Sequence, residues 1–166
     1  MKRVLERSLR RIERQFDELA AWAPRGDVRA DRVSGWSIGQ HLDHLCKADR
    51  SIVARFAEPA TEPLPPLTLA GRLVLATGWI PRGRGKAPAA VAPELASPAE
   101  LAAQVLAVRA LVTAALGSPE RLADPRPVSR HHIFGGLSAA RWVRFLAVHH
   151  HHHLKIIRDI ERAASA

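Results

Sequence analysis

His149-His150-His151-His152-His153-Leu154-Lys155-Ile156-Ile157-Arg158-Asp159-Ile160 opens as a polyhistidine run and closes as an amphipathic helix. At about 100° per residue, an apolar stripe drawn from Trp142, Phe145, Leu146, Ile156 and Ile160 falls within roughly 60° either side of His149. On the same dial His153 lies about 40° away and His152 about 60° to the other side. His150 sits on the flank and His151 points away. The run therefore reads as a pair of imidazoles one turn apart, with His152, aimed into a protein core. A metal ion is the natural partner for clustered core histidines. A tag remnant would sit at a terminus without an amphipathic continuation. A solvated helix turn would put His149 and His153 on the wrong face. Three or four protein ligands make a firm site, so the others must come from elsewhere in the chain.

The 166 residues suit a single domain, 1–166, large enough to bury most of its apolar side chains. Apolar residues make up 47%, which excludes a disordered chain. There is no signal-peptide core and no run of about 18 uncharged apolar residues. Cys46 is the only cysteine, so no disulfide within the chain and no thiolate-rich zinc site is available. That usage suits a reducing, cytoplasmic setting. The formal charge of +9 is carried mostly by arginine, since only Lys2, Lys47, Lys86 and Lys155 are lysines. The arginines spread over every predicted helix without interleaved aromatics or a docking motif. A solvated basic surface explains them better than nucleic-acid binding.

Four long helical patterns organise the chain. The first covers roughly 2–23, with Val4, Leu5, Leu9, Ile12, Phe16 and Leu19 at helical spacing, and Pro24-Arg25-Gly26 stops it. The second opens on the capping signature Ser37-Ile38-Gly39-Gln40 and runs to about Ala57, before Pro59. The third opens on Ser97-Pro98-Ala99-Glu100 and ends at Gly117. The fourth runs from about Ser138 to the C-terminus. No strand alternation of useful length is visible, so the class is all-α and the architecture a four-helix bundle. Residues 58–97 hold seven prolines and form a long crossover with at most one short helix, near 67–79. Such a crossover permits the second and third long helices to run parallel. Arg82-Gly83-Arg84-Gly85-Lys86 within it reads as a flexible basic loop and matches no phosphate-loop pattern.

Helix two carries two further inward histidines, His41 and His44. The apolar centre set by Ile38, Leu42, Leu45, Ile52 and Phe56 lies nearer His41, with His44 at the edge of the stripe. From that edge His44 can reach a neighbouring helix, and a packed core histidine is the simpler account of a lone histidine here. Asp49, on the inner half, can orient a ligand or form a salt bridge. Cys46 lies about 200° from His44, so the two cannot share an ion.

Trp36-Ser37-Ile38-Gly39-Gln40-His41-Leu42-Asp43-His44 resembles the first motif of the DinB/YfiT-like superfamily of four-helix metalloproteins, W-S-x-x-E/Q-x-x-x-H. His131-His132-Ile133-Phe134-Gly135-Gly136-Leu137-Ser138, then Trp142, Phe145, His149 and His152-His153-Leu154, resembles the H-P-x-F-G-x-L-[ST]…W…H-x-x-H-H-L pattern of one branch of that superfamily. His132 stands where that branch usually has proline. The resemblance implies that His44, His149 and His153 are metal ligands, selecting His44 over His41 because the motif places its ligand eight residues after the tryptophan. Three nitrogens on one side of an ion leave positions open, the mark of a catalytic rather than a structural site. The resemblance further implies a metal-dependent transferase or hydrolase acting on a small molecule, with metal-bound thiolate or hydroxide as nucleophile. His152 and His41 are the candidates for a supporting hydrogen bond or a general base. The alternative is a non-catalytic metal-binding or stress-related protein of the same fold. The cofactor is a divalent metal ion, with zinc, nickel and iron all acceptable to imidazole. A small-molecule substrate is expected; a low-molecular-weight thiol and assembly as a homodimer stay open, while nucleic acid and membrane are not expected.

Overall fold

The computed structural model describes residues 2–57, 60–83, 87–117 and 122–166. The second and third long helices begin where their capping residues predict. The helix α1 spans Lys2–Trp22, and a 3-10 turn at Ala23–Arg25 follows. The helix α2, Ile38–Ala57, starts on a reciprocal cap: Gln40 N–H donates to Ser37 Oγ at 3.1 Å, and Ser37 N–H donates to Gln40 Oε1 at 3.0 Å. A short helix α3, Leu69–Thr77, is capped by the Thr68 side chain and closed by Gly78 in the left-handed region. The helix α4, Pro98–Leu116, has the full capping box of Ser97 and Glu100. The helix α5, Ala139–Ala164, is the longest. Pro59 and the Arg84-Gly85-Lys86 part of the basic loop lie outside the described residues.

The four long helices pack as a bundle, and pair contacts give their directions. Gln15 reaches the Ala147 carbonyl and Arg25 meets Glu161, so α1 and α5 run parallel. His41 meets His153 while Arg55 lies over Trp142, so α2 opposes α5. Asp17 pairs with Arg109 while Gly26 abuts Leu101, so α4 opposes α1. It follows that α2 and α4 are parallel, as the long crossover permits. The core joins Ile12, Phe16 and Leu19 of α1 to Ile38, Leu42 and Leu45 of α2, Leu101, Val105 and Val108 of α4, and the inner face of α5. The window of α4 is long and apolar enough to cross a membrane by length and composition, and 28% of it is buried in the bundle.

The expectation of a strand-free chain fails at one place. Between α4 and α5, β1 (Pro127–His131) pairs antiparallel with β2 (Gly135–Ser138), with a bulge between Pro127 and Ser129. Both strands are short, and Gly-Gly-Leu-Ser carries little strand propensity of its own. The pairing is fixed by a third partner. Gly136 N–H donates to the Pro65 carbonyl at 2.8 Å, Thr68 N–H to Phe134 at 2.9 Å, and Ala60 N–H to Val128 at 2.7 Å. The proline-rich crossover is thereby laced along the hairpin. Gly135 has φ +81, and a Cβ there would stand 2.2 Å from the Pro66 oxygen, so glycine is required. The hairpin lies between two bundle helices and leaves the bundle intact.

A second correction concerns α5. His150, expected on the flank, is wholly enclosed, with 0% exposure. Val143, Ala147, Leu154 and Ile157 share its face and are also buried. The apolar stripe of α5 is wider than the one drawn from its largest residues, because this helix is covered by α1 as well as by α2.

Candidate metal centre

Two helices running in opposite directions bring three imidazoles to one point. His149 and His153 stand one turn apart on α5, and His44 faces them from α2. The Nε2 atoms of His149 and His153 are 3.1 Å apart, and those of His44 and His149 are 3.3 Å apart. One ring nitrogen from each of the three lies within 4.8 Å of the others, a grouping able to hold a metal ion. Two nitrogens bound tetrahedrally at zinc-like distances would be separated by about 3.3 Å. The donor spacing therefore fits a small divalent ion without movement of the helices.

The outer nitrogens decide which atoms are free to donate. His44 Nδ1 lies 2.7 Å from the Val91 carbonyl, which only accepts, so the proton sits on Nδ1 and the Nε2 lone pair points into the cluster. His153 Nδ1 lies 2.8 Å from Nδ1 of His41, whose Nε2 is 3.0 Å from Ser34 Oγ. With the Nε2 lone pair of His153 turned to a metal, its Nδ1–H donates to His41, and His41 donates on to Ser34. Ser34 Oγ also accepts from the Trp36 N–H at 3.1 Å. His149 has no such partner: its Nδ1 is buried and unbonded, and its ring stacks on Phe145 at 5.3 Å. It is positioned by packing alone.

Burial holds all three imidazoles neutral, as ligation requires. His149 and His153 lie well below the usual histidine range, chiefly through desolvation and then through neighbouring imidazoles. His44 is lowered by burial, partly offset by its bond to Val91. His41 is pushed down to about 3 by burial, then by His44. His149 is only half-buried, so one edge of the cluster reaches the surface. Trp36 packs 5.2 Å from both His41 and His44, and 6.3 Å from His153, forming an aromatic wall.

A stretch of the crossover closes the side of α2. Besides the His44–Val91 bond, Glu94 N–H donates to Asp43 Oδ2 at 2.8 Å and Lys47 Nζ donates to the Ala92 carbonyl at 3.1 Å. Lys47 also bridges Asp43 and Glu94.

The remaining candidates separate. His41 joins the site as the outer partner of His153. His152 does not: its ring bonds to the Ile80 backbone and lies edge-on to His153 at 5.1 Å, held down to about 4 by burial and then by Arg82. Asp49 is bonded to His150, Oδ2 to Nε2 at 2.8 Å, and both side chains are enclosed. It orients no ligand of the cluster. Cys46 is buried and its thiol is pushed up to about 12, mainly by desolvation, so it takes no part. His131 was not singled out as a site residue from the sequence. Its Nδ1 accepts from Ile133 and Phe134 N–H groups at 3.2 and 3.3 Å, and its ring meets Phe145 at 4.8 Å, edge to face. Those two amides leave the proton on Nε2, making His131 a fixed donor on the hairpin side. The Val91 carbonyl and Ser34 were also missed; a backbone oxygen leaves no mark in a sequence.

A family model described as the DinB superfamily matches residues 1–157. No curated protein and no solved structure gives a significant match.

Proposed function

The chain belongs to the DinB superfamily, and from that premise we propose that it holds one divalent metal ion on His44, His149 and His153. The ion would serve either transfer of a group from a small molecule to a low-molecular-weight thiol or hydrolysis of that molecule by water, in the cytoplasm. The observation that carries this reading is the convergence of three Nε2 atoms at 3.1 and 3.3 Å in a nitrogen-only donor set. Zinc, nickel and iron all suit such donors. When bound, the ion supplies Lewis acidity that lowers the pKa of a thiol or water at its open position.

The protein's own residues do the rest. The Val91 carbonyl keeps the His44 ring turned inward. His41 and Ser34 hold His153 in the donor tautomer and raise its basicity. Trp36 and Phe145 give the centre apolar sides, which strengthens charge interactions inside it. His131, with its proton fixed on Nε2, supplies a hydrogen-bond donor from the hairpin side.

The test begins with elemental analysis of protein purified without a metal-affinity column, since the histidine run would acquire nickel there. His44→Ala, His149→Ala and His153→Ala should each lose stoichiometric metal, whereas His151→Ala should keep it. Cobalt-substituted protein should then change its visible spectrum saturably with a small thiol or azide, and His44→Ala should not. Equal metal loss in His151→Ala removes the ligand assignment. A cobalt spectrum indifferent to both probes means a closed site and a metal binder without chemistry.

A further inference from the structure

Ion pairs engage the arginines around the later turns of α5, whereas two arginines around its first turns are unpaired among the described residues. Around the later turns of α5, Arg25 meets Glu161, Arg158 meets Glu18, and Arg82 meets Asp159. Around its first turns the side chains of Arg72 and Arg141 meet no acceptor among the described residues. Arg144 is fixed by donating Nε–H to the Leu75 carbonyl at 3.1 Å. Burial and then the neighbouring Arg7 hold its guanidinium below the usual range.

These three arginines line one cavity of about 390 Å³ between α1, α3 and the start of α5. Leu5 and Leu67 give it an apolar side. None of its described lining residues is acidic, and Asp124, next to the lining residue Pro125, is already engaged by Arg126. Ser138 also lines it. This residue is 5% exposed and occupies the N-cap of α5, yet its hydroxyl makes no capping bond and meets no other partner among the described residues. A 26-residue helix thus presents an uncapped N-terminus beside the unpartnered Ser138 hydroxyl and three guanidinium groups. Amides, dipole and fixed positive charge all favour an anion there.

We propose that this cavity is a second binding site, for an amphiphilic oxyanion: a phosphate or carboxylate head on a short apolar body. Its volume lies at the lower end of the range for small-molecule sites. Arg141 and Arg144 lie about 80° and 140° round the helix from His149, and Arg141 is about 12 Å along the axis from it. The site is therefore separate from the metal centre. A polyanion is disfavoured, because the neutralised arginines of the later turns interrupt the basic surface.

Zinc-loaded protein should be titrated calorimetrically with octyl phosphate, decanoate and inorganic phosphate, and sedimented with vesicles of anionic phospholipid. Octyl phosphate or decanoate should bind one to one and more tightly than inorganic phosphate. Arg141→Glu should weaken that binding at least about tenfold, with zinc content unchanged. Arg72→Glu gives a second, independent reading of the same loss. Arg50→Glu, an equal charge reversal on α2, should leave affinity within about twofold. The proposal is overturned if inorganic phosphate binds as well as octyl phosphate, or if Arg50→Glu costs as much as Arg141→Glu. It is equally overturned if anionic vesicles bind while free octyl phosphate and decanoate do not, since the arginines would then serve a lipid surface.

Discussion

Replacing His150 with leucine removes the hydrogen bond to a carboxylate that has no access to water. Asp49 is 1% exposed and His150 0%, and their single bond is 2.8 Å long. Asp49 Oδ1 and His150 Nδ1 are both buried without partners, so nothing else compensates the carboxylate. Leucine keeps the volume against Phe16, whose ring meets His150 edge-on at 5.1 Å, so cavity effects stay small. The cost is that of stranding a buried charge, about 3–5 kcal/mol. For a chain of this size each kcal/mol moves the Tm by about 2–4 °C, giving a fall of about 6–20 °C. Asp49→Leu/His150→Leu should recover most of the loss, because it removes both polar partners together. Urea unfolding at saturating zinc measures all three proteins, and each should still bind one zinc, since the pair lies outside the cluster. A loss under about 1 kcal/mol for His150→Leu, or a double variant as unstable as the single, would refute the reasoning.

His41→Gln should weaken metal binding about 10–100-fold while leaving the stoichiometry at saturation unchanged, as expected for an outer hydrogen-bond partner. Competition against a chelator measures it, and unchanged affinity would remove His41 from the site. Acid should destabilise the metal-free protein through its buried histidines. Burial holds His41 and His131 down to about 3, so the folded state keeps them neutral while the unfolded chain takes up protons below about 6.5. Stability is therefore complete above about pH 6.5 and declines as pH falls towards 3, by about 2 kcal/mol per residue at pH 5. Urea midpoints at pH 7.5 and pH 5 read this directly, and equal midpoints would show that these rings titrate normally.

The helices were legible because their ends are written in side chains. Ser37 with Gln40, Ser97 with Glu100, and Gly117 sit where the chain enters or leaves a helix. His149 and His153 were legible from helical period alone, and the choice of His44 came from motif spacing. A stripe drawn through the largest apolar residues of α5 leaves His150 on its flank, whereas the small ones, Ala147 and Val143, mark the face that α1 covers. The hairpin is illegible for a different reason. Its strands are specified by pairing with residues 60–68, a contact between distant segments that no local window contains. Asp49 and His150, about a hundred positions apart, likewise become partners only once α2 and α5 are packed.

The proline-rich crossover is the part of this chain that most resembles slack tether, yet Val91 in it supplies the bond that aims His44. Loading of the three nitrogens and docking of residues 91–94 are therefore linked equilibria. Whatever factor docking adds to metal affinity, metal must add to docking. The crossover then acts as a gauge of occupancy: its susceptibility to proteolysis falls as the ion binds and rises as it leaves, though no protease need ever approach the histidines.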